Sequence, residues 1–91
     1  MEQIEQYKGM MSEIIAKQSI ILGPGMAVMR AQKVSEIKVN EAGRVTDISG
    51  DPGQALEKLI ASYVELSGEI VKNALGPIFT KYPSVKTPSQ P

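Results

Sequence analysis

A chain of 91 residues can hold one domain at most, and its 42% apolar and 22% charged residues are ordinary values for a folded domain. Ten acidic and ten basic side chains give a formal net charge of zero. This balance argues against a nucleic-acid partner, because that affinity comes largely from excess Lys and Arg facing phosphates. Cysteine and histidine are both absent, which excludes disulfides, thiolate metal sites and the commonest general base.

The sequence contains no candidate membrane-spanning segment. None of its apolar runs approaches the roughly 18 residues needed to cross a bilayer. The first nine residues, MEQIEQYKG, are acidic and amphipathic, unlike a secretory signal peptide. Together with the absence of cysteine, these features predict a cytoplasmic protein without a membrane partner.

The first predicted helix spans residues 2–18. Glu2 and Glu5 stand in its first turn, where the helix dipole favours negative charge. Its apolar side is formed by residues at alternating spacings of three and four, with Ile15 beside them: Ile4, Tyr7, Met11, Ile14 and Gln18. We therefore expect an amphipathic helix with one side packed against the rest of the chain.

The tripeptide Leu-Gly-Pro ends this helix and starts another. Gly23 can take the left-handed conformation that closes a helix, and Pro24 suits the first turn of a new one. The second helix is predicted from about Pro24 to Ser35, over the segment PGMAVMRAQKVS. It is expected to be buried on nearly every face, because consecutive apolar residues stand near its start: Met26, Ala27, Val28 and Met29.

Residues 36–49 predict a β-hairpin. Ile37 and Val39 alternate with charged residues, which is the period of a half-buried strand. The segment NEAG is a suitable turn, because Asn40 can open it and Gly43 can adopt positive φ.

The return strand of this hairpin, residues 45–49, has an irregular pattern. Val45 and Ile48 would lie on opposite faces of a regular strand. Either a bulge follows Gly43, or both faces of the hairpin are partly covered.

The start of a third helix is the clearest signal in the chain. Asp51 is a predicted N-cap, Pro52 occupies the first helical position, and Gln54 stands three residues after the cap. The amphipathic pattern behind them is expected to continue to about Leu75. Its apolar stripe consists of Leu56, Leu59, Ile60, Tyr63, Ser67, Ile70, Val71 and Ala74.

These elements predict one α+β domain over residues 1–80, with two N-terminal helices, a β-hairpin and one long amphipathic helix. Leu-Gly-Pro recurs at residues 75–77, and a short turn of helix, PIFTKY, can follow it. Residues 81–91 combine three prolines with Ser, Thr and Gln, a composition that cannot build a core. We expect this segment to be a disordered tail or a linker.

The length of the third helix predicts a homodimer. A helix of 24 residues, from Pro52 to Leu75, is about 36 Å long, whereas a globule of about 80 residues is roughly 30 Å across. The overhanging apolar stripe needs a cover, and a second copy is the simplest one. The stripe is therefore the predicted dimer interface. The alternative is that the first two helices cover it within one chain.

Two segments could carry chemistry, and neither fits a known site well. LGPGMA places glycines before a helix, as anion sites do, but its spacing matches neither the Walker pattern nor the dinucleotide fingerprint. Asp47 and Asp51 flank a tight turn without the alternating ligands of a calcium loop. The sequence therefore predicts no catalytic residue, no metal, no cofactor and no enzymatic activity.

One stretch resembles part of a known family. Residues 34–66, VSEIKVNEAGRVTDISGDPGQALEKLIASYVEL, are similar to a segment of roadblock domains: a strand, an acidic turn with glycine, a second strand, then a capped helix. The resemblance implies homodimers or heterodimers, often tied to small GTPases. Roadblock domains continue with three more strands and another helix, and no such strands follow Leu75 here.

We therefore expect a non-catalytic homodimeric interaction or adaptor module in signalling or regulation, with itself and another protein as candidate partners. The alternative is a small-ligand sensor with an apolar pocket between the helices. That pocket would lie near Met26, Met29, Tyr63 and Ile70.

Overall fold

The computed structural model describes residues 2–68, 75–78 and 80–81. These residues form an α+β fold, as the sequence predicts. Its elements, in chain order, are helix α1 (Glu2–Leu22), helix α2 (Pro24–Gln32), strand β1 (Ile37–Val39), strand β2 (Val45–Ile48) and helix α3 (Pro52–Ser67). Residues 75–78 and 80–81 are also helical.

Helix α1 is longer than predicted and ends at the predicted glycine. It continues four residues past Gln18 to Leu22, and the N–H of Gly23 then donates to the carbonyl of Ser19 at 3.0 Å. Gly23 has φ 93, a left-handed value that favours glycine. The predicted apolar side faces the core, since four of its five residues are buried: Tyr7, Met11, Ile14 and Gln18.

Helix α2 begins at Pro24 as predicted, but it ends at Gln32 instead of Ser35. The prediction that it is buried on nearly every face is wrong. Ala27 and Ala31 are buried, whereas Met26 and Met29 are exposed. Small residues occupy the packed side, where α2 lies mainly against α1 and to a lesser extent against α3, and the two methionines lie on the exposed side.

Strands β1 and β2 form the predicted antiparallel hairpin. Lys38 pairs with Asp47 and Val39 pairs with Val45, so Thr46 is an extra residue in β2. The sequence allowed either a bulge after Gly43 or partial cover on both faces of the hairpin, and the structure confirms the bulge. The bulge turns both Val45 and the partly buried Ile48 toward the core. The hairpin is fixed to α1 by the N–H of Val45, which donates to Ser12 Oγ at 2.9 Å.

Helix α3 has the predicted start and an earlier end. Asp51 is the N-cap residue and Pro52 follows it, although the carboxylate of Asp51 makes no capping hydrogen bond. The helix ends at Ser67 instead of Leu75, because Gly68 turns the chain at φ 62 and its N–H donates to the carbonyl of Val64. Residues 69–74 lie outside the described residues.

The shorter helix removes the overhang from which a second copy was inferred. A helix of 16 residues is about 24 Å long, which is less than the largest dimension of the protein, 31 Å. Its apolar side is covered by α1 and α2 within the chain, the alternative that the sequence left open.

The helical stretch after Gly76 reaches into the segment that the sequence assigns to a tail. Leu75 and Ile78 are buried in the core. Lys81, predicted to begin the tail, is helical, and its Nζ lies 2.7 Å from Glu13 Oε1 on α1. The rest of the predicted tail, residues 82–91, lies outside the described residues.

Candidate interaction surface

The predicted dimer interface divides into three groups. Leu56, Leu59 and Tyr63 are fully buried inside the chain, so they cannot touch a second copy while this fold is intact. Ile60 is partly buried and packs against the same core. The remaining four are not described well enough to place: the side chain of Ser67, together with Ile70, Val71 and Ala74, which lie outside the described residues.

Tyr63 is the point at which α3 is fixed to α2. Its hydroxyl donates a hydrogen bond of 2.6 Å to the carbonyl oxygen of Ala27. Burial of the ring raises the pKa of Tyr63 above its ordinary value of 10.0, because the phenolate would lose its hydration. The hydrogen bond therefore holds the turn of α3 that contains Tyr63 next to the first turn of α2.

Three of the four residues near the predicted ligand pocket can be placed. Tyr63 is buried with its hydroxyl already bonded, whereas Met26 and Met29 face outward from α2. Ile70 lies outside the described residues. Three surface cavities are lined by described residues, one of them between α2 and α3, and none of the three is lined by Met26, Met29 or Tyr63.

The outer sides of α2 and α3 form one continuous surface, which we name the α2–α3 face. Each helix contributes a stripe at spacings of three and four, the period of one helical side. The stripe on α2 consists of Met26, Met29 and Arg30, and Lys33 and Glu36 follow the helix; the stripe on α3 consists of Lys58, Ala61, Ser62 and Glu65, with Leu66 beside it. A shallow groove of about 340 Å³ separates the two stripes.

Ion pairs join the two stripes at both ends of the groove. At one end, Arg30 Nη1 lies 3.7 Å from Glu65 Oε1. At the other end, Lys58 Nζ donates to the carboxylate of Glu36. Both pairs are partly or largely exposed, so each contributes little to the stability of the chain itself.

The charge of Glu36 is favoured by its partner. The hydrogen bond from Lys58 is the main cause that lowers the pKa of Glu36 below its ordinary value of 4.5. Glu36 therefore stays ionised at neutral pH, and this end of the groove carries one positive and one negative charge.

Exposed apolar side chains lie at the opposite end of the α2–α3 face, next to the ion pair of Arg30 and Glu65. Met26 is 43% exposed, Met29 48% and Leu66 39%. The bond from Tyr63 to Ala27 and the pair between Arg30 and Glu65 place the end of α3 beside the start of α2. The three side chains therefore lie at the same end of the face, where apolar area is in contact with water.

Sequence reasoning missed this face, although one signal indicates it. Ala27 and Ala31 are four residues apart on α2, and small residues at that spacing mark a side where another helix approaches closely. The methionines must then lie on the other side. The ion pairs could not be predicted from a local spacing in the sequence, because 35 positions separate Arg30 from Glu65.

A second cavity lies between α1 and the helical residues after Gly76. Its volume is about 360 Å³. Ala16, Ile20 and Ile78 supply apolar walls, and the ion pair of Glu13 with Lys81 crosses its edge. Ile20 is 80% exposed, the largest value among the exposed large apolar residues of the described chain.

The segments considered for chemistry have structural roles. The carbonyl of Gly23 accepts from the N–H of Ala27 at 3.0 Å, so LGPGMA forms a junction of two helices, as predicted. Asp47 Oδ1 accepts from the N–H of Ile48 at 2.9 Å. Among the described residues, no group of three or more acidic side chains is placed to hold a metal ion.

Gln18 is an exception in the core. Its side chain is fully buried on the packed side of α1, and neither its amide nitrogen nor its amide oxygen has a hydrogen-bond partner among the described residues. Burying an unpaired amide costs roughly 1–3 kcal/mol. The sequence placed Gln18 correctly on the packed side but gave no reason for an amide there.

No helix in the described part of the chain is long and apolar enough to cross a bilayer. Comparison of the chain with known protein families, with curated proteins and with solved structures gives no significant match.

Proposed function

We propose that this protein is a non-catalytic interaction module that forms homodimers and serves as an adaptor in signalling or regulation. The observation that carries the proposal is the exposure of Met26, Met29 and Leu66 at one end of the α2–α3 face. The core is complete without them, so their exposure costs free energy that contact with another protein surface would recover.

The arrangement of the face is typical of a protein-binding surface. Apolar side chains at one end are followed by charged groups that carry both signs: Arg30, Lys33 and Lys58 against Glu36 and Glu65. Aromatic residues, methionine and arginine are enriched in interfaces, and a charged rim gives specificity more than affinity. The balanced signs suit a partner with the same balance, and a second copy of this chain has it.

Two features of the sequence support the same proposal. The roadblock domains that residues 34–66 resemble form dimers, and the described fold has a hairpin followed by a helix in this range. The chain also contains no cysteine, which favours a reducing compartment such as the cytoplasm.

The proposal is tested by solution mass, measured by light scattering on a size-exclusion column over a tenfold range of concentration. The wild-type chain is expected to approach twice the chain mass of 9.8 kDa at the highest concentration. The double variant Met26→Gln, Met29→Gln is expected to remain a single chain, because it removes the exposed apolar area. A wild-type mass that stays at one chain throughout overturns the homodimer.

A matched control uses another exposed apolar position. Ile20→Gln on α1 also replaces an exposed apolar side chain by an amide, but Ile20 lines the cavity beside Ile78 and not the groove of the α2–α3 face. Its mass should follow that of the wild type. If Ile20→Gln abolishes the dimer and the methionine variant does not, the contact lies at α1 instead.

A small-ligand sensor is the second candidate, and the cavity between α1 and residues 77–81 favours it. A volume of about 360 Å³ with apolar walls is within the range of small-molecule sites. The test is a titration with an apolar probe such as 1-hexanol, followed by NMR. Shifts confined to Ala16, Ile20 and Ile78, and lost in Ala16→Phe, would support a binding site; the absence of shifts in the wild type would exclude it.

A further inference from the structure

The two stripes of the α2–α3 face match each other position by position across the groove. At one end, Met26 and Met29 of α2 lie on the same side as Leu66 of α3. Next to them, Arg30 stands opposite Glu65. Because an ion pair fixes the relative position of the helices at each end, the order of these groups along the groove is known.

The correspondence between the two stripes continues to the end of the groove at Glu36 and Lys58. Lys33 lies on the α2 side of the groove, and the small residues Ala61 and Ser62 lie on the α3 side. Beyond them, Glu36 stands opposite Lys58. The apolar end and the two ion pairs are therefore matched across the groove at the same height, and between the two pairs Lys33 faces small side chains.

We propose that the α2–α3 face binds a second copy of this chain through a twofold axis that runs along the groove. The twofold rotation places α2 of one copy over α3 of the other. It does not change positions along the groove, so each residue has the same height in both copies. The inference rests on the homodimer proposed above and specifies which surface forms it and how the copies are oriented.

In this orientation, residues that lie opposite each other across the groove within one chain also lie opposite each other between the two copies. Met26 and Met29 contact Leu66 of the second copy and lose their exposure to water. Arg30 lies over Glu65 of the second copy at the same time as it pairs with its own Glu65. Each end of the interface then holds two positive and two negative charges, an arrangement that stabilises all four more than one exposed pair does.

The middle of the face suits close approach. Ala61 and Ser62 have small side chains, and the shallow groove leaves space above them. Lys33 of the second copy has an extended apolar stem that can lie in this space while its ammonium group reaches water. An end-for-end orientation would instead bring the two Lys33 side chains together and place the methionines over the charged end.

The size of the face predicts a reversible dimer. Helix α3 is about 24 Å long and α2 about 14 Å long, and each is roughly 10 Å wide, so each copy buries about 400 Å². Standard interfaces bury about 800 Å² per partner. The dimer should therefore dissociate on dilution.

The experiment that tests the orientation exchanges charges between two chains. In Arg30→Glu, residues 30 and 65 are both acidic, and in Glu65→Arg both are basic. Each variant alone should be a single chain at concentrations where the wild type is a dimer. In a dimer of either variant, residue 30 of each copy would face a like charge at residue 65 of the other copy. An equimolar mixture restores both contacts and should have the mass of a dimer.

A second pair of variants makes the test independent of any one side chain. Glu36→Lys and Lys58→Glu apply the same logic at the other end of the groove, and their mixture should also recover the dimer. Lys38→Glu and Glu41→Arg are matched controls on the exposed hairpin, and each should dimerise alone. Circular dichroism of every variant verifies that it is folded.

The outcomes separate this inference from the homodimer itself. If the wild type dimerises and neither mixture recovers the dimer, the proposed orientation is wrong and the homodimer uses another surface. If the wild type is a single chain at every concentration, both proposals are wrong. Recovery in both mixtures, with unaffected hairpin controls, is the result that the orientation predicts.

Discussion

The hydroxyl of Tyr63 donates a hydrogen bond of 2.6 Å to the carbonyl oxygen of Ala27, although 36 positions separate the two residues in the chain. The bond lies in the core and joins the C-terminal part of α3 to the first turn of α2. It therefore sets how α2 and α3 lie side by side, and with them the two stripes of the α2–α3 face.

Removing this hydroxyl should lower the stability of the protein. Tyr63→Phe keeps the ring in the core and leaves the Ala27 carbonyl without its side-chain donor. We expect the free energy of unfolding, measured by urea denaturation, to fall by about 1 kcal/mol. Tyr7→Phe is the control, because within the described residues no hydrogen bond is formed by the Tyr7 hydroxyl. An equal loss in both variants would show that the bond to Ala27 contributes nothing.

Replacing the buried amide of Gln18 should raise stability. Gln18→Met keeps a similar shape and removes two buried polar atoms that have no partners. We expect the free energy of unfolding to rise by roughly 1–3 kcal/mol. Gln54→Met, at an exposed position of α3, should change it by less than about 0.5 kcal/mol. A loss of stability in Gln18→Met would mean that the amide has a bonding partner in solution.

Two glycines should respond oppositely to replacement by alanine. Gly43 has φ 84, and an added Cβ would lie 3.3 Å from methyl groups of Ile15 and Val28, so Gly43→Ala should cost about 1–3 kcal/mol. Gly25 lies in α2, and an added Cβ there would meet nothing within 4 Å. Gly25→Ala should therefore stabilise the protein by about 0.4–1 kcal/mol. Thermal unfolding of both variants checks the prediction, and a destabilised Gly25→Ala would contradict it.

The ionisation of Glu36 should depend on Lys58. The hydrogen bond from Lys58 lowers the pKa of Glu36 in the folded state below 4.5, so the folded state binds fewer protons than the unfolded state. The resulting stabilisation is present above pH 4.5 and is lost as the pH falls through the folded-state value. In Lys58→Met, the NMR titration of the Glu36 carboxyl carbon should move up toward 4.5.

Lys38→Met on β1 is the control for that titration, because Lys38 is not in contact with Glu36 through any ion pair of the described residues. Its titration midpoint for Glu36 should equal that of the wild type. An unchanged midpoint in Lys58→Met would show that the hydrogen bond is not formed in solution.

The sequence predicted elements where a local signal was present. The period of three and four gave the packed side of α1, and the Asp51-Pro52 pair gave the start of α3. The end of α3 was missed because the apolar period continues through Ile70 to Ala74 in the sequence, whereas Gly68 ends the helix through its own backbone conformation. Periodicity cannot show where a glycine will adopt positive φ.

The candidate surface was less predictable than the fold. The segment from Met26 to Met29 is apolar throughout, so its pattern does not indicate which side packs. That side is decided by the long-range packing of α2 against α1 and α3, in which the bond from Tyr63 to the Ala27 carbonyl is one contact. For the same reason, the interface predicted from the sequence includes residues that the structure buries inside the chain, Leu56, Leu59 and Tyr63.

Self-association of the protein through the α2–α3 face can be tested by NMR on dilution. Backbone amide signals would be recorded for the wild-type chain over a tenfold range of concentration. We predict concentration-dependent shifts that cluster at residues 26–36 and 58–66, with the hairpin turn and the first half of α1 unchanged. Signals that do not move with concentration, or that move only in α1 and near Ile78, would contradict the claim.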